Sequence, residues 1–284
     1  MEQAAIDTAA ASPAHHSFRR IVCLTAEITE VMYALGLEDR IVGISGYSTR
    51  PARARREKPK VAAFSTAKID KILALQPDLV LGFSNLQADI AADLIRAGIE
   101  VHLFNQRSVA EILRMIFTIG RLTDSCEKAA AIVKELETVI SAARESAAEL
   151  TLRPTVYFEE WDEPIISGIL WVSELIEIAG GKDCFEELSV HASAGDRIIA
   201  GPQVVDRMPD IIIGSWCGKK FQPEKLMARP GWSAIPAVRN GFVHEIKSAD
   251  ILQPGPSAIT QGLKQLQSII RRWAVQQTHA KHWS

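Results

Sequence analysis

Short apolar runs alternate with amphipathic stretches along almost the whole chain. In the first half the runs Ile21–Leu24, Ile41–Ser45, Val61–Phe64, Leu79–Phe83 and Val101–Phe104 read as strands. Between them, apolar positions spaced three and four apart predict helices over Glu27–Leu35, Ile69–Leu75, Ala88–Ala97 and Val109–Arg121. Gly36 and Gly98 follow two of these at the usual stop position. Such alternation implies parallel pairing with right-handed crossovers. An uninterrupted helical stripe then runs from about Thr123 to Leu150, through Ala129, Ile132, Val133, Leu136, Val139, Ile140, Ala143 and Ala147. Asp124 and Glu127 resemble a capping box at its start. At about 1.5 Å per residue it would be roughly 40 Å long, which predicts a strut between two lobes; packing along one larger domain is the alternative. Beyond it the pattern resumes, with strands expected at Thr155–Phe158, Arg197–Ala200, Asp210–Gly214 and Phe242–Glu245 and helices at Leu170–Ala179 and Ala258–Trp273.

One segment occurs twice. ILALQPDLVLGFS, from Ile72 to Ser84, and VVDRMPDIIIGSW, from Val204 to Trp216, both run from a helix end through Pro-Asp into an apolar strand and then glycine. Matched placement in the two halves predicts a pseudo-duplicated α/β architecture. The expected division is a disordered segment at 1–19, an α/β lobe at 20–122, a linking helix at 123–151, a second α/β lobe at 152–276 and a tail at 277–284.

Composition narrows the function more than the fold. The 284 residues carry 32 Lys plus Arg against 34 Asp plus Glu, a net charge of −2, so no basic footprint for nucleic acid exists. No apolar run reaches the length of a membrane span, which argues against direct membrane insertion. The first residues lack a basic region followed by an apolar one, so as written the chain reads as cytoplasmic. Cys23, Cys126, Cys184 and Cys217 form no CxxC and read as free, mostly buried thiols.

In parallel α/β sheets ligands sit beyond the carboxyl ends of the strands. Tyr47, Phe64, Phe83, Trp161, Trp171 and Trp216 fall at such ends or in adjacent turns, with Ser84, Asn85, Asn105, Gln106 and Gln253 nearby. Aromatic walls with a few polar groups suit a large flat ligand, although any one ring could equally be core. Glu159, Glu160, Asp162 and Glu163 make an acidic turn that reads as a solvated loop. A metal-dependent lyase or hydrolase using Glu160–Glu163 is the enzymatic alternative, without a neighbouring His or Lys to support it. His191, His244 and Cys217 are minor candidates for an axial metal ligand. No phosphate-binding loop, dinucleotide fingerprint or nucleophile elbow occurs.

RIVCLTAEITEVMYALGLEDRIVGISGYS, KIDKILALQPDLVLGFS, EPIISGILWVSELIEIAGG, RPGWSAIPAVRNGFVHEI and ILQPGPSAITQGLKQL together resemble the helical-backbone metal-chelate receptors. These are the substrate-binding proteins of ABC transporters for cobalamin, ferric siderophores and haem, and WVSELIEIAGG with RPGWSAIPAVRNG is most similar to the cobalamin branch. The resemblance covers about Arg20 to Trp273. It implies two Rossmann-like lobes joined by one long helix, the class III periplasmic-binding-protein arrangement, with a ligand held between them and no catalysis. It further implies that Tyr47, Phe64 and Phe83 fall at pocket aromatics, that Asp196 or Arg197 replaces another, and that Gln253 stands where the cobalamin receptor has an arginine. Family members dock on their permease through one acid on each lobe. Asp70 keeps the first, whereas Pro202 occupies the second position and cannot form a salt bridge. By family precedent the protein would be periplasmic if a leader had been removed. The expected function is non-covalent binding of a corrinoid, cobalamin foremost, as a transport receptor or soluble carrier, with haem or a ferric siderophore as the alternative ligand.

Overall fold

The computed structural model describes residues 17–282. Its first sheet is built from β1 (Ile21–Cys23), β2 (Ile41–Ser45), β3 (Lys60–Ala62), β4 (Leu79–Phe83) and β5 (Val101–Phe104), in the order β3-β2-β1-β4-β5 and entirely parallel. The helices α1 (Ala26–Ala34), α2 (Ala54–Glu57), α3 (Ile69–Ala74), α4 (Ala88–Arg96) and α5 (Val109–Leu122) follow these strands in turn. The long helix α6 (Cys126–Ala148) leads to the second sheet. There β6 (Thr155–Asp162), β7 (Ile165–Ser167), β8 (Lys182–Asp183), β9 (Ile211–Gly214) and β10 (Val243–Glu245) are arranged β10-β9-β6-β7, with β8 also on β6. Its helices are α7 (Leu170–Ile178), α8 (Glu186–Ser189), α9 (Gly201–Arg207), α10 (Pro223–Met227), α11 (Pro236–Arg239), α12 (Ser248–Ile251) and α13 (Leu263–His282).

Strand periodicity sorts the core. In β1 and β4, Ile21, Cys23, Leu79 and Leu81 point into one apolar cluster, while Val22, Leu24 and Val80 point into another on the opposite face. In β6 and β9, Val156, Phe158, Ile211 and Ile213 join that same first cluster, while Tyr157 and Ile212 serve a third. The shared cluster is filled by α1, α5, α6, α7 and α13, so one helical layer backs both sheets. The long helix therefore does not stand free between the lobes: Ala129, Leu136, Ile140 and Ala143 of its stripe are buried in this common layer, while Val139 is exposed.

The helix also starts later than its pattern indicated. Asp124 takes a left-handed conformation (φ 52°), Ser125 is the N-cap without a side-chain bond, and no Asp124–Glu127 capping box forms. The turn at 123–125 reverses the chain so that α6 lies against α5. The two helices approach so closely that a Cβ on Gly120 would sit 2.4 Å from the Cβ of Ala129.

Other boundaries shift for local reasons. Arg197–Ala200 is not a strand: a short 3₁₀ turn at Ala194–Arg197 and one bridge between Ile198 and Ile166 take its place. The buried guanidinium of Arg197, bound to Glu160 and the Ser167 carbonyl, holds that segment in place. The short antiparallel β7 had no clear sequence signal. The final helix opens with a π-turn at Ala258–Gly262 and continues to His282, so the expected tail at 277–284 is helical as far as it is described. Residues 1–16 of the expected disordered segment lie outside the described residues. Its end is tied down, because Arg19 and Arg20 donate backbone N–H bonds to Asp78.

The repeated segment is a structural repeat. Gln76 and Met208, immediately before Pro77 and Pro209, both have φ of 47°. The aspartate that follows caps the start of the adjacent strand in each lobe. Asp78 accepts from Arg19 and Arg20 beside β1, and Asp210 accepts from the N–H and hydroxyl of Thr155 beside β6. The glycine at each strand end admits a close neighbour: a Cβ on Gly82 would meet Gln87 Oε1 at 2.5 Å, and one on Gly214 would meet the ring of Phe221 at 1.9 Å.

Candidate binding cleft

Because both sheets are parallel along their central strands, each gathers its strand ends on one edge, and the two edges face one another. Contacts across the gap establish this. Arg50, in the turn after β2, pairs with Asp250 and donates to the Ala249 carbonyl. Gln106, after β5, donates to the Pro254 carbonyl at 3.2 Å, and Glu30 of α1 accepts from the Ser257 hydroxyl at 3.0 Å.

On the first lobe, Tyr47 is 55% exposed and Phe64 is 41% exposed, both just past their strands. Phe83 is buried instead. It backs Phe64 with ring centroids 6.4 Å apart and carries the Arg107 guanidinium 4.8 Å above its own ring. Ser84 has φ of 77°, an uncommon conformation for a residue with a side chain. Its hydroxyl already accepts from the Leu86 N–H and from Arg107, at 3.2 and 3.3 Å. Asn85 and Asn105 are exposed. Gln106 is buried, and its Oε1 lacks a partner.

On the second lobe the β6–β7 hairpin extends beyond the last pairing of β6 with β9, at Glu159 and Gly214, and carries the half-buried Trp161 outward. The indole N–H of Trp161 donates to the Glu163 carbonyl, and Lys219 sits 4.3 Å above its ring. Trp171 and Trp216 turn inward and do not wall the cleft. Trp171, 4% exposed, lies in the shared helical core with its N–H on the Ile251 carbonyl. Trp216, 3% exposed, stacks edge-on against Phe221 and donates to Glu159. Helix α7 faces the core along this side, and the close approach allowed by Gly214 draws Phe221 and Trp216 together. Gln253 is half-buried in the segment after α12.

The acidic turn is not a solvated loop but a set of ion pairs. Glu159 is fully buried and receives Arg229 at 2.5 and 2.9 Å, Trp216 at 2.9 Å and the Tyr157 hydroxyl at 2.8 Å. Glu160 pairs with Arg197, Asp162 with Lys219 and Lys225, and Glu163 with Lys225. Although burial works against it, the two lysines hold the Asp162 carboxyl below its ordinary value. These acids are already neutralised, and among the described residues no cluster of His, Cys, Asp and Glu could hold a metal ion. The metal-dependent lyase or hydrolase is therefore set aside. Nor do the minor ligand candidates converge. His191 is exposed at the end of α8, and His244 lies within β10 against Phe242, its pKa lowered by burial and by Arg272. Cys217 and Cys126 are exposed thiols, contrary to expectation, whereas burial pushes Cys23 up to about 12.

Several residues at the cleft carried no clear sequence signal. Leu86, 59% exposed, and Ile198 extend the apolar edge on either side. Gln87, fully buried, links two strand ends by accepting from the Phe83 N–H and donating to the Phe64 carbonyl. Arg107 lies one position beyond Gln106, the last residue singled out after β5. The basic residues that neutralise the acidic turn could have been sought in the segment after β9, where Lys219, Lys225 and Arg229 fall within eleven positions.

This architecture, two parallel α/β sheets on a common helical layer with facing strand edges, defines a bilobal ligand receptor. The chain belongs to the periplasmic binding protein family, whose model matches residues 21–249. Its members are non-catalytic substrate-binding proteins of ABC transporters, and this chain is a binding protein rather than an enzyme. The vitamin B12-binding protein of Vibrio parahaemolyticus is 24% identical over 265 residues, 91% of this chain and 93% of that protein. An ABC transporter substrate-binding lipoprotein of Bacillus subtilis is 28% identical over 257 residues, 87% of this chain and 78% of that one. Among solved structures, the vitamin B12-binding protein of Vibrio cholerae superimposes with a TM-score of 0.74 at 22% identity, covering 90% of this chain and 98% of that one. The haem-binding protein RhuT of Roseiflexus sp. RS-1 gives 0.79 at 22% identity, covering 90% and 99%. Among the described residues no helix is long and apolar enough to cross a membrane.

Proposed function

We propose that this protein binds a corrinoid, cobalamin foremost, in the cleft between its two sheets. The observation that carries the reading is the pair of opposed apolar edges. Tyr47, Phe64 and Leu86 are exposed on one side and the indole of Trp161 is held outward on the other. Exposed aromatic surface at two facing edges is what a broad, partly apolar macrocycle would cover. The names of the B12-binding relatives support the same ligand class. The intended recipient is an ABC permease, reached in part through the exposed Asp70 at the start of α3. Its counterpart in the repeat is Pro202, since each stands eight residues before the aspartate of its Pro-Asp pair. Docking on the second lobe then relies on contacts other than a salt bridge at that position.

Titration with cyanocobalamin, followed by visible absorption and thermal melting, tests the ligand. A dissociation constant in the micromolar range or tighter is expected, and Trp161→Ala should weaken it about tenfold. Absence of binding at about 100 µM would sink the reading. Haemin and a ferric hydroxamate serve as parallel ligands: tighter binding of either than of cobalamin would replace the corrinoid with that chelate.

A further inference from the structure

Each lobe carries a guanidinium at the strand-end side of its sheet, and only one of the two is paired with a carboxylate. Arg107, from the first lobe, donates to the Ser84 hydroxyl and lies over the Phe83 ring. Its Nε is buried without an acceptor, and no carboxylate among the described residues lies at salt-bridge distance from it. Arg197, from the second lobe, has a side chain only 2% exposed. It is bound to Glu160 at 2.7 Å and to the Ser167 carbonyl, and its Nε is likewise without an acceptor. The groups share one environment: burial first and the Arg197 charge next lower the pKa of Arg107, while Glu111 and Glu160 raise it. Glu111 is already taken up by the backbone N–H groups of Arg107 and Ser108 and by Arg114. Glu160 matches Arg197, which leaves the Arg107 guanidinium without an ion partner among the described residues. A half-buried cation without a counter-ion favours an anion, and a ligand entering the cleft can supply one.

We propose that Arg107, with Arg197 already matched by Glu160, receives a single negatively charged phosphodiester group of the ligand, which in a corrinoid is that of the nucleotide loop. The assignment rests on the corrinoid reading above and adds specificity to it. A guanidinium fork matches phosphate oxygens in geometry as well as charge. One net positive charge matches one phosphodiester. Two haem propionates would leave a negative charge unmet, and a neutral ferric hydroxamate would leave Arg107 unmet.

The test compares cyanocobalamin with dicyanocobinamide, which keeps the ring and its amides but lacks the nucleotide loop and its phosphate. The full chain and its Arg107→Gln and Arg107→Lys variants are each titrated, after melting curves show that they fold. Wild type should prefer cobalamin. Arg107→Gln should lower cobalamin affinity on the order of tenfold and leave cobinamide affinity within about twofold, with Arg107→Lys in between. Added salt should shrink the wild-type preference. A preference that survives intact in Arg107→Gln, or an equal loss for both ligands, overturns the assignment while the corrinoid reading stands. If wild type binds neither corrinoid, both fall.

Discussion

Glu159 shows how much one buried residue can hold together at the cleft. It is fully inaccessible and takes bonds from Arg229, Trp216 and Tyr157, so it fixes the base of the β6–β7 hairpin that carries Trp161. Arg229→Ala would leave that carboxylate buried and unpaired. A loss of about 3–5 kcal/mol is expected in chemical denaturation, with part of it recovered in the Glu159→Gln, Arg229→Ala double variant. No loss in the single variant would show that water replaces the guanidinium freely. Glu27 behaves differently. It lies beneath Gly255 at the lobe interface, bonded by the Thr25 hydroxyl at 2.6 Å, with Cys23 and Glu30 as its titratable neighbours. Burial raises its pKa from 4.5 to about 7. The folded chain thus holds this proton more tightly than the unfolded chain. The site's contribution to stability is complete below pH 4.5 and is lost as pH rises through about 7. Glu27→Gln should therefore melt higher relative to wild type at about pH 8 than at about pH 4.5, and parallel curves at both values would refute this.

Among the elements, the repeat was legible as sequence, and its chemistry explains why. Proline ends the helix, and the residue before it adopts a left-handed turn. The aspartate then accepts from the strand beside it. Asp78→Ala and Asp210→Ala should each cost about 1–3 kcal/mol, since each orphans backbone donors at the start of a strand. A null effect at one site alone would mean that the two halves no longer use the motif alike. The longer helices and the central strands were equally legible, because period and glycine stops are local, whereas the short helices such as α2 and α8 to α12 span too few residues to show a period. The 3₁₀ turn at Ala194–Arg197 was not, because the Arg197 side chain is drawn to Glu160, 37 positions away in sequence. The six aromatics at strand ends divided evenly for the same reason. Position along a strand locates the end of a sheet but not which way a ring turns there.

Across the whole molecule, rigidity comes from more than the long helix. The two sheets share a helical layer, and Arg50–Asp250, Glu30–Ser257, Gln106–Pro254 and the Glu174 carboxylate on the Val109 N–H tie the lobes at the base of the cleft. Opening would break several of these together, so only a small change in lobe separation is expected on ligand binding. Spin labels on exposed sites of α4 and α10 should report a shift of no more than about 3 Å, and an Arg50→Ala, Glu30→Ala variant should broaden the distribution. A large ligand-induced closure in wild type would contradict this account.

The sequence by itself determined the α/β alternation, the duplicated Pro-Asp segment and the strand ends that form the edges of the cleft, since each follows from neighbours a few positions apart. Only the tertiary structure decided which rings remain outside, how the acidic turn is neutralised and that Arg107 is left over Phe83 without an ion partner among the described residues. Those outcomes depend on groups brought together from distant parts of the chain. Charge and burial act through space, and the order of residues along the chain does not specify that distance.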